Sequence, residues 1–397
     1  MITETNRGTQ LNIENIRKQI PACQEMVYMN TGWSGPSPQS VVEAITDRLR
    51  YESYQGPMSP PVYESGKIVQ QDAKEAVASL FNVTADEVIL TQCTTDGLNI
   101  VLNGLPWNPG DEVITFSLEH SSVLIPAYHL QQRYGVIVRV VELKFDDSED
   151  AIIGKVAEVI TKKTRLVFCS HIQYTCGLKM PVERIRCLTV EKGIKMLLDG
   201  AQTGGHISLD LASLGCEFYS IPGQKWLMGP DGVGALYIRK DVIPAIKPLR
   251  VSGRAVTTYD EEGGYEPNDE SIDKFLLTTN SAPLAAGFAT AIRFHESIGS
   301  NSVESRVIEL SSMLKELLTP IQGVTLASPT NQSMSCGLTT FRISGWEPDQ
   351  AVSKLWEDHK IVIRQVRELA AVRASTHVFN TEDEVDQLVQ AVSDMVS

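Results

Sequence analysis

Seven short runs of β-branched and aliphatic residues constrain this chain more than any other feature. They are "EVILT" (87–91), "DEVITF" (111–116), "VIVRVVEL" (136–143), "RLVFCS" (165–170), "KMLLD" (195–199), "EFYSI" (217–221) and "GALYI" (234–238). Each is nearly continuous in apolar character instead of alternating, the pattern of a strand buried on both faces. Between most of them lie segments with apolar residues three and four apart, such as "SSVLIPAYHLQQRYG", "AIIGKVAEVIT" and "PVERIRCLTVEKG". Two more helical segments, "SVVEAITDRLRYE" and "GKIVQQDAKEAVASLF", precede the first run. Strand, helix, strand in repetition is the layout of a doubly wound, mostly parallel sheet, so the fold class is α/β.

The texture changes after about residue 250. An acidic, loop-rich stretch, "TTYDEEGGYEPNDES", leads into a long helical segment, "APLAAGFATAIRFHESIG", and a further helix–strand series. With 397 residues the chain exceeds the size of one ordinary core. The expected division is an N-terminal segment (1–25), a large domain (26–260) and a smaller α+β C-terminal domain (261–397), with a connecting helix over about 281–299. The last helix is expected to open on a capping box formed by Thr381 and Glu384. No apolar run approaches the roughly 18 residues that span a bilayer, and "MITETNRGTQ" lacks the basic-then-apolar signal pattern, so a cytoplasmic protein without a membrane partner is expected. The formal charge of -14, from 49 acidic and 35 basic residues, disfavours nucleic acid as a partner. Seven cysteines with no C-x-x-C pair argue against a disulfide scaffold or a zinc site, and no metal is expected.

Ligands of open parallel sheets sit beyond the carboxyl ends of the strands, which directs attention to the residues just after each run. Thr94 and Thr95 come after the first, at the start of a helix, where two hydroxyls and free N–H groups suit a phosphate or serve as an ordinary cap. Glu119 and His120 come after the second; the imidazole is a stacking ring, an acid–base group or a structural side chain. Asp199 ends a buried strand, where a carboxylate needs a cation or donors, and Gln202 comes just after it. Lys225 lies just beyond "EFYSI". It is either a solvated loop lysine or, if desolvated, an amine able to form a Schiff base. The glycine-rich "GPDGVG" comes after this lysine and leads into a strand, so it is neither a dinucleotide fingerprint nor a P-loop. Phosphate cradle, stackable ring, acid and Schiff-base lysine are jointly the requirements of pyridoxal 5'-phosphate.

At these residues the chain resembles the class V aminotransferase and cysteine desulfurase group of fold-type-I pyridoxal phosphate enzymes, from "MNTGWSGPSP" to "VRASTHVFNTEDEV". "LLDGAQ" followed by a lysine 26 positions after its aspartate carries most of the likeness. The resemblance implies that Lys225 binds pyridoxal 5'-phosphate as a Schiff base, Asp199 pairs with the pyridine nitrogen, Gln202 contacts the phenolic oxygen and His120 stacks on the ring. It implies that Thr94 and Thr95 bind the phosphate, and that Thr279 in "FLLTTN" reaches the phosphate of a partner subunit, which makes the protein a homodimer. The family's usual Ser or Thr three residues before the lysine and His one before it are Pro222 and Gln224 here. Gln224 keeps an amide for the cofactor; Pro222 has no hydroxyl to offer.

The cofactor does not choose the reaction. Desulfurases of the group carry a nucleophilic cysteine on a C-terminal loop, whereas here Arg364 and Arg373 are separated by the eight residues "QVRELAAV", without a cysteine. Cys336, in "MSCGLTTFRIS", reads as part of a strand. The short connection resembles the cysteine/cystine carbon–sulfur lyases, in which two such arginines hold the substrate carboxylate. Gly32 and Tyr174, in "TGWSGPSP" and "SHIQYTCG", are expected on the substrate side, whereas Arg254 is read as solvated. The expected reaction is β-elimination from a sulfur amino acid to pyruvate, ammonia and a sulfur species. An aminotransferase and an isopenicillin-N-epimerase-like racemase are the alternatives. A desulfurase, a bond-forming biosynthetic enzyme and a non-catalytic binding protein stand behind them.

Overall fold

A computed structural model describes residues 11–397 of the protein. The opening stretch 1–10, with its lack of a signal pattern, lies outside the described residues. The strands are β1 (Val27–Tyr28), β2 (Val88–Thr91), β3 (Glu112–Phe116), β4 (Ile137–Val141), β5 (Thr164–Ser170), β6 (Lys195–Asp199), β7 (Phe218–Pro222) and β8 (Gly234–Ile238), then a hairpin, β9 (Val256–Tyr259) and β10 (Tyr265–Pro267). The C-terminal part adds β11 (Val324–Leu326), β12 (Leu338–Ile343), β13 (Ile361–Val362), β14 (Arg364–Val366) and β15 (Ala371–Ser375).

Each of the seven apolar runs coincides with a strand of one sheet, ordered β2-β8-β7-β6-β5-β3-β4. The five strands β7, β6, β5, β3 and β4 run parallel, and β8 runs antiparallel to both β7 and β2. Helices cover both faces: Ile114 and Phe116 of β3 belong to one apolar cluster, and Val113 beside them belongs to the other. That division explains the unbroken apolar runs, since successive side chains enter different cores. One strand departs from the expectation. β4 is the sheet edge, and Ile137 and Val140 are exposed there, because an edge strand has a neighbour on one side alone.

The expected long helix is Ala282–Ile298, capped by the Ser281 hydroxyl. It packs on the helices Gln39–Gln55 and Pro60–Phe81. Gly287 permits the approach, for a Cβ there would stand 2.5 Å from Ile45 Cγ1. The C-terminal sheet, β11-β12-β15-β14, is antiparallel and is covered by the helices Ser300–Leu318, Pro348–His359 and Glu382–Val396. The last of these opens on the expected capping box of Thr381 and Glu384. β1 pairs in parallel with β13, and Asn30 bridges to Ser375. The segment that begins at residue 26 therefore starts in the C-terminal layer before it enters the large sheet, which brings residues 30–35 beside the carboxyl ends of β5 to β7. Among the described residues no helix is long and apolar enough to cross a membrane.

Candidate active site

A cavity of about 330 Å³ opens at the carboxyl ends of β2, β3, β5, β6 and β7. Its first end is the start of the helix Thr94–Gly104. Cys93 caps this helix without a side-chain bond, which leaves the first N–H groups facing the cavity. Thr94 Oγ1 is buried and has no hydrogen-bond partner, as is Gln224 Oε1 nearby, whereas Thr95 Oγ1 donates to Ser122 Oγ at 3.0 Å. Free N–H donors, the unpartnered Thr94 hydroxyl and a positive helix end fit a phosphate group, toward which Gln224 would turn its amide N–H. The backbone comes close at this point, since a Cβ on Gly97 would stand 2.3 Å from Ser220 Oγ.

In the middle, Asp199 and Lys225 face each other from the ends of β6 and β7. Asp199 Oδ1 accepts the Ala201 N–H at 2.7 Å. Burial raises its carboxyl, and the Lys225 cation and that N–H counter the rise. Lys225 is pulled down to about 8, chiefly by burial and further by Arg373 and Arg364, with Asp199 opposing. Gln202 is fixed at both ends: Nε2 donates to Gly32 O at 2.8 Å and Oε1 accepts the Trp226 indole at 2.8 Å. Trp226 stacks between the neutral rings of His206 and His377, so the residue after Lys225 is held rigidly. His120 Nδ1 accepts the Ser122 N–H at 3.1 Å. Burial, with the Lys225 and Arg364 charges, brings its imidazole down to about 4, so the ring is neutral at pH 7.

The depressed lysine has a measurable consequence. In cofactor-free protein the neutral, nucleophilic fraction of Lys225 grows as pH rises through about 8 and is nearly complete a unit or so above it. The rate of pyridoxal phosphate capture, followed by stopped-flow absorbance, is expected to rise with pH around that midpoint and then level off. A midpoint near the free-lysine value of about 10.4 would show that the amine is not desolvated.

The other end carries the two arginines. Arg364 on β14 and Arg373 on β15 are direct partners in the antiparallel register, so two like charges stand side by side on one face. Such a pair is destabilising unless an anion joins it. Arg373 is fully buried; Nη1 donates to Tyr174 O, and Nε and Nη2 have no partner. Burial and the neighbouring Arg364 depress it, yet a guanidinium keeps its charge. Arg364 lies 4.5 Å over the ring of Trp33, which is exposed at the mouth. Gly32 sits against this group: a Cβ there would stand 2.9 Å from Arg373 Nη2 and 2.8 Å from Ser375 Oγ, both unpartnered. Gly32→Ala is therefore expected to displace the guanidinium and lower kcat/KM by ~10²-fold, mainly through KM, with the fold retained. Steady-state kinetics and circular dichroism check this.

Of the residues singled out in the sequence, Thr94, Thr95, His120, Tyr174, Asp199, Gln202, Gln224, Lys225 and Arg364 line this cavity, and Gly32 and Arg373 pack against it. Thr279 does not. It lines a second cavity of about 540 Å³ with Gln92, Asp96 and Arg250. Pro222 lines the site as the last residue of β7, and Arg254 is exposed. Trp33, Cys93, Ser122, Ser170, Ile172 and Ala201 also line the cavity without being singled out in the sequence, and Glu368 reaches its edge through Tyr174. Glu368 Oε1 accepts the Tyr174 hydroxyl at 2.5 Å, while the Tyr174 ring meets the His120 ring edge-on at 4.8 Å. Glu119, to which the sequence assigns no role, is buried. It accepts from Ser170 N, Ser170 Oγ and Gln173 Nε2, and is pushed up to about 7 by burial. Cys336 is buried just before β12, its Sγ donating to Gly177 O at 3.1 Å, and burial raises its thiol. Among the described residues no group of three or more His, Cys, Asp or Glu could hold a metal ion.

The sequence matches the family model Aminotransferase class-V over residues 27–388. It is 29% identical to a probable cysteine desulfurase of Methanothermobacter thermautotrophicus, over 97% of this chain and 98% of that one. It is 27% identical to isopenicillin N epimerase of Amycolatopsis lactamdurans, over 96% of this chain and 98% of that one. Among solved structures, the cystine C-S lyase C-DES in complex with its reaction product cysteine persulfide superposes with a TM-score of 0.88 at 28% identity, covering 95% of this chain and 99% of that one. A mutant of C-DES with glycine covalently linked to its pyridoxal phosphate gives a TM-score of 0.89 at 27% identity, with the same coverage.

Proposed function

The chain belongs to the class-V aminotransferase family, with the fold-type-I architecture and pyridoxal phosphate as its cofactor, and from that premise we propose that it is a carbon–sulfur lyase acting on cysteine, cystine or a related S-substituted amino acid. The coarser statement, a pyridoxal phosphate enzyme of this family acting on cysteine, is common ground for the lyase and desulfurase readings. The observation that carries the finer one is the connection from Arg364 to Arg373. It is short, has no thiol, and is tied down by Glu368 on Tyr174. A desulfurase needs a thiolate that can reach the substrate sulfur. Cys336 is buried, bonded and protonated, and Cys93 stands at the phosphate end.

The work is divided among the residues of the cavity. Lys225 would carry the cofactor, with Thr94, Thr95 and Gln224 at its phosphate, Asp199 at its ring nitrogen, Gln202 at its phenolic oxygen and His120 against its face. When bound, the cofactor supplies an electron sink for the charge left on a substrate's α-carbon. Arg373, with Arg364, holds the substrate carboxylate; a carboxylate between two guanidinium groups relieves their repulsion and satisfies the orphaned Nε and Nη2. Lys225, once its amine is free, removes the α-proton, a role suited to a group near 8. The carbon–sulfur bond breaks with its electron pair on sulfur, and 2-aminoacrylate hydrolyses to pyruvate and ammonia. Thr279 lies away from Lys225 of its own chain, in a cavity it shares with Arg250 between exposed Leu249 and Val251, which supports a homodimer in which it serves the partner's phosphate.

Purified enzyme given cystine or cysteine is expected to form pyruvate and ammonia. Alanine as the product would restore the desulfurase reading. The likeness to isopenicillin N epimerase keeps one second reading in view, and exchange of α-deuterium without product would favour it.

A further inference from the structure

Two buried histidines, His206 and His377, take no part in the catalytic steps, and both close on Trp226, the residue after Lys225. His206 Nε2 accepts the Gly337 N–H at 2.8 Å, so its Nδ1 carries the proton and donates to Gln202 O at 2.7 Å. His377 Nδ1 accepts the Val378 N–H at 2.7 Å, so its Nε2 donates to Trp226 O at 2.9 Å. One ring thus holds the backbone of Gln202 and the other that of Trp226, and the indole is sandwiched between them with centroids 3.6 and 5.5 Å away. The indole has one polar group, Nε1–H, and it donates to Gln202 Oε1 at 2.8 Å.

An indole nitrogen can only donate and a carbonyl oxygen can only accept. With Trp226 at Oε1 and the Gly32 carbonyl at Nε2, the two ends of the Gln202 amide cannot exchange places. The second N–H of Nε2 has no partner among the described residues, in a side chain that lines the cavity, so Gln202 meets a ligand as a donor. We propose that Trp226 is a positioning residue that holds Gln202 as an obligatory hydrogen-bond donor to the phenolic oxygen of pyridoxal phosphate. The inference rests on the placement of Gln202 at that oxygen and is independent of the reaction that follows. Without the indole, Oε1 is a buried acceptor with no donor, and the one bond to Gly32 leaves the amide free to turn away. A donor at the phenolic oxygen spreads its negative charge and weakens its hold on the proton it shares with the lysine-bound nitrogen. Loss of the donor therefore makes the bound cofactor keep that proton to higher pH.

A pH titration of the visible absorbance of the cofactor-loaded enzyme reads this directly. Gln202→Leu is expected to raise the midpoint by ~1 unit, and Trp226→Phe, which keeps a ring between the two imidazoles, by roughly half of that or more. The double variant is expected to move no further than Gln202→Leu alone, because Trp226 acts through that amide. Cys93, His120, Tyr174, Asp199, Arg364 and Arg373, the other titratable or charged groups around Lys225, are the same in all three variants. Where Trp226→Phe fails to fold, replacing Trp226 by its benzothiophene analogue removes the N–H from a ring of the same size and is expected to give the same shift. A wild-type midpoint in the residue-226 variants beside a raised one in Gln202→Leu, or additive shifts in the double variant, overturns the role of Trp226 and leaves Gln202 in place. An unchanged midpoint in Gln202→Leu removes Gln202 from the phenolic oxygen, and the inference with it.

Discussion

Lys225→Ala is expected to lower kcat by at least ~10⁴-fold and to remove the borohydride-fixable link between chain and cofactor, while the protein stays folded. The loss would be chemical because the backbone around residue 225 is fixed by other groups. The Lys225 carbonyl accepts the Met228 N–H at 3.0 Å, and Gly35 packs so close that a Cβ on it would stand 2.4 Å from that carbonyl oxygen. Trp226 is stacked on both sides and bonded to Gln202. None of these interactions uses the lysine side chain. Removing the buried amine relieves its own desolvation cost but also takes the opposing cation from buried Asp199, so the melting temperature is expected to change little. A small primary amine added to the variant is expected to restore part of the α-proton removal. A protein–cofactor bond that borohydride still fixes in the variant would show that residue 225 is not the anchor.

The large sheet and the centre of the site are legible in the sequence for one physical reason. In a doubly wound sheet the strand ends collect at one edge, so Thr94, His120, Asp199 and Lys225 are located by reading a few residues past each apolar run. The rest depends on interactions between distant parts of the chain. Tyr174 and Glu368 are 194 positions apart, and the orphaned atoms of Arg373 follow from its opposition to Arg364 across two strands. The exposure of β4 likewise depends on strand order, which the apolar pattern of "VIVRVVEL" does not contain. Trp33 reaches the cavity because β1 pairs with β13, a pairing of two residues that leaves no periodic signal.

The second large effect is expected at Arg373. Arg373→Met keeps most of the side-chain volume and deletes the charge, and kcat/KM is expected to fall by ~10³-fold or more, as for loss of a desolvated, bidentate carboxylate partner. Stability argues the other way. In the ligand-free protein this guanidinium is fully buried, faces a second guanidinium in register, and leaves Nε and Nη2 unpaired. Replacing an uncompensated buried charge with an apolar group of similar size is often neutral or stabilising. Against that stands the bond from Nη1 to Tyr174 O, whose removal costs about 1–3 kcal/mol for the carbonyl left behind. Thermal unfolding of the variant is therefore expected at or above the wild-type temperature while activity collapses. Arg364→Met, at the mouth and over Trp33, is expected to lose less activity and to leave stability unchanged. A strongly destabilised Arg373→Met with near-normal kcat/KM would make Arg373 a structural strut, and the substrate carboxylate would then need another partner. The opposite pattern, stable and inactive, is what a site that stores an unpaired charge for its ligand requires, because the free energy withheld from folding is recovered when the carboxylate binds.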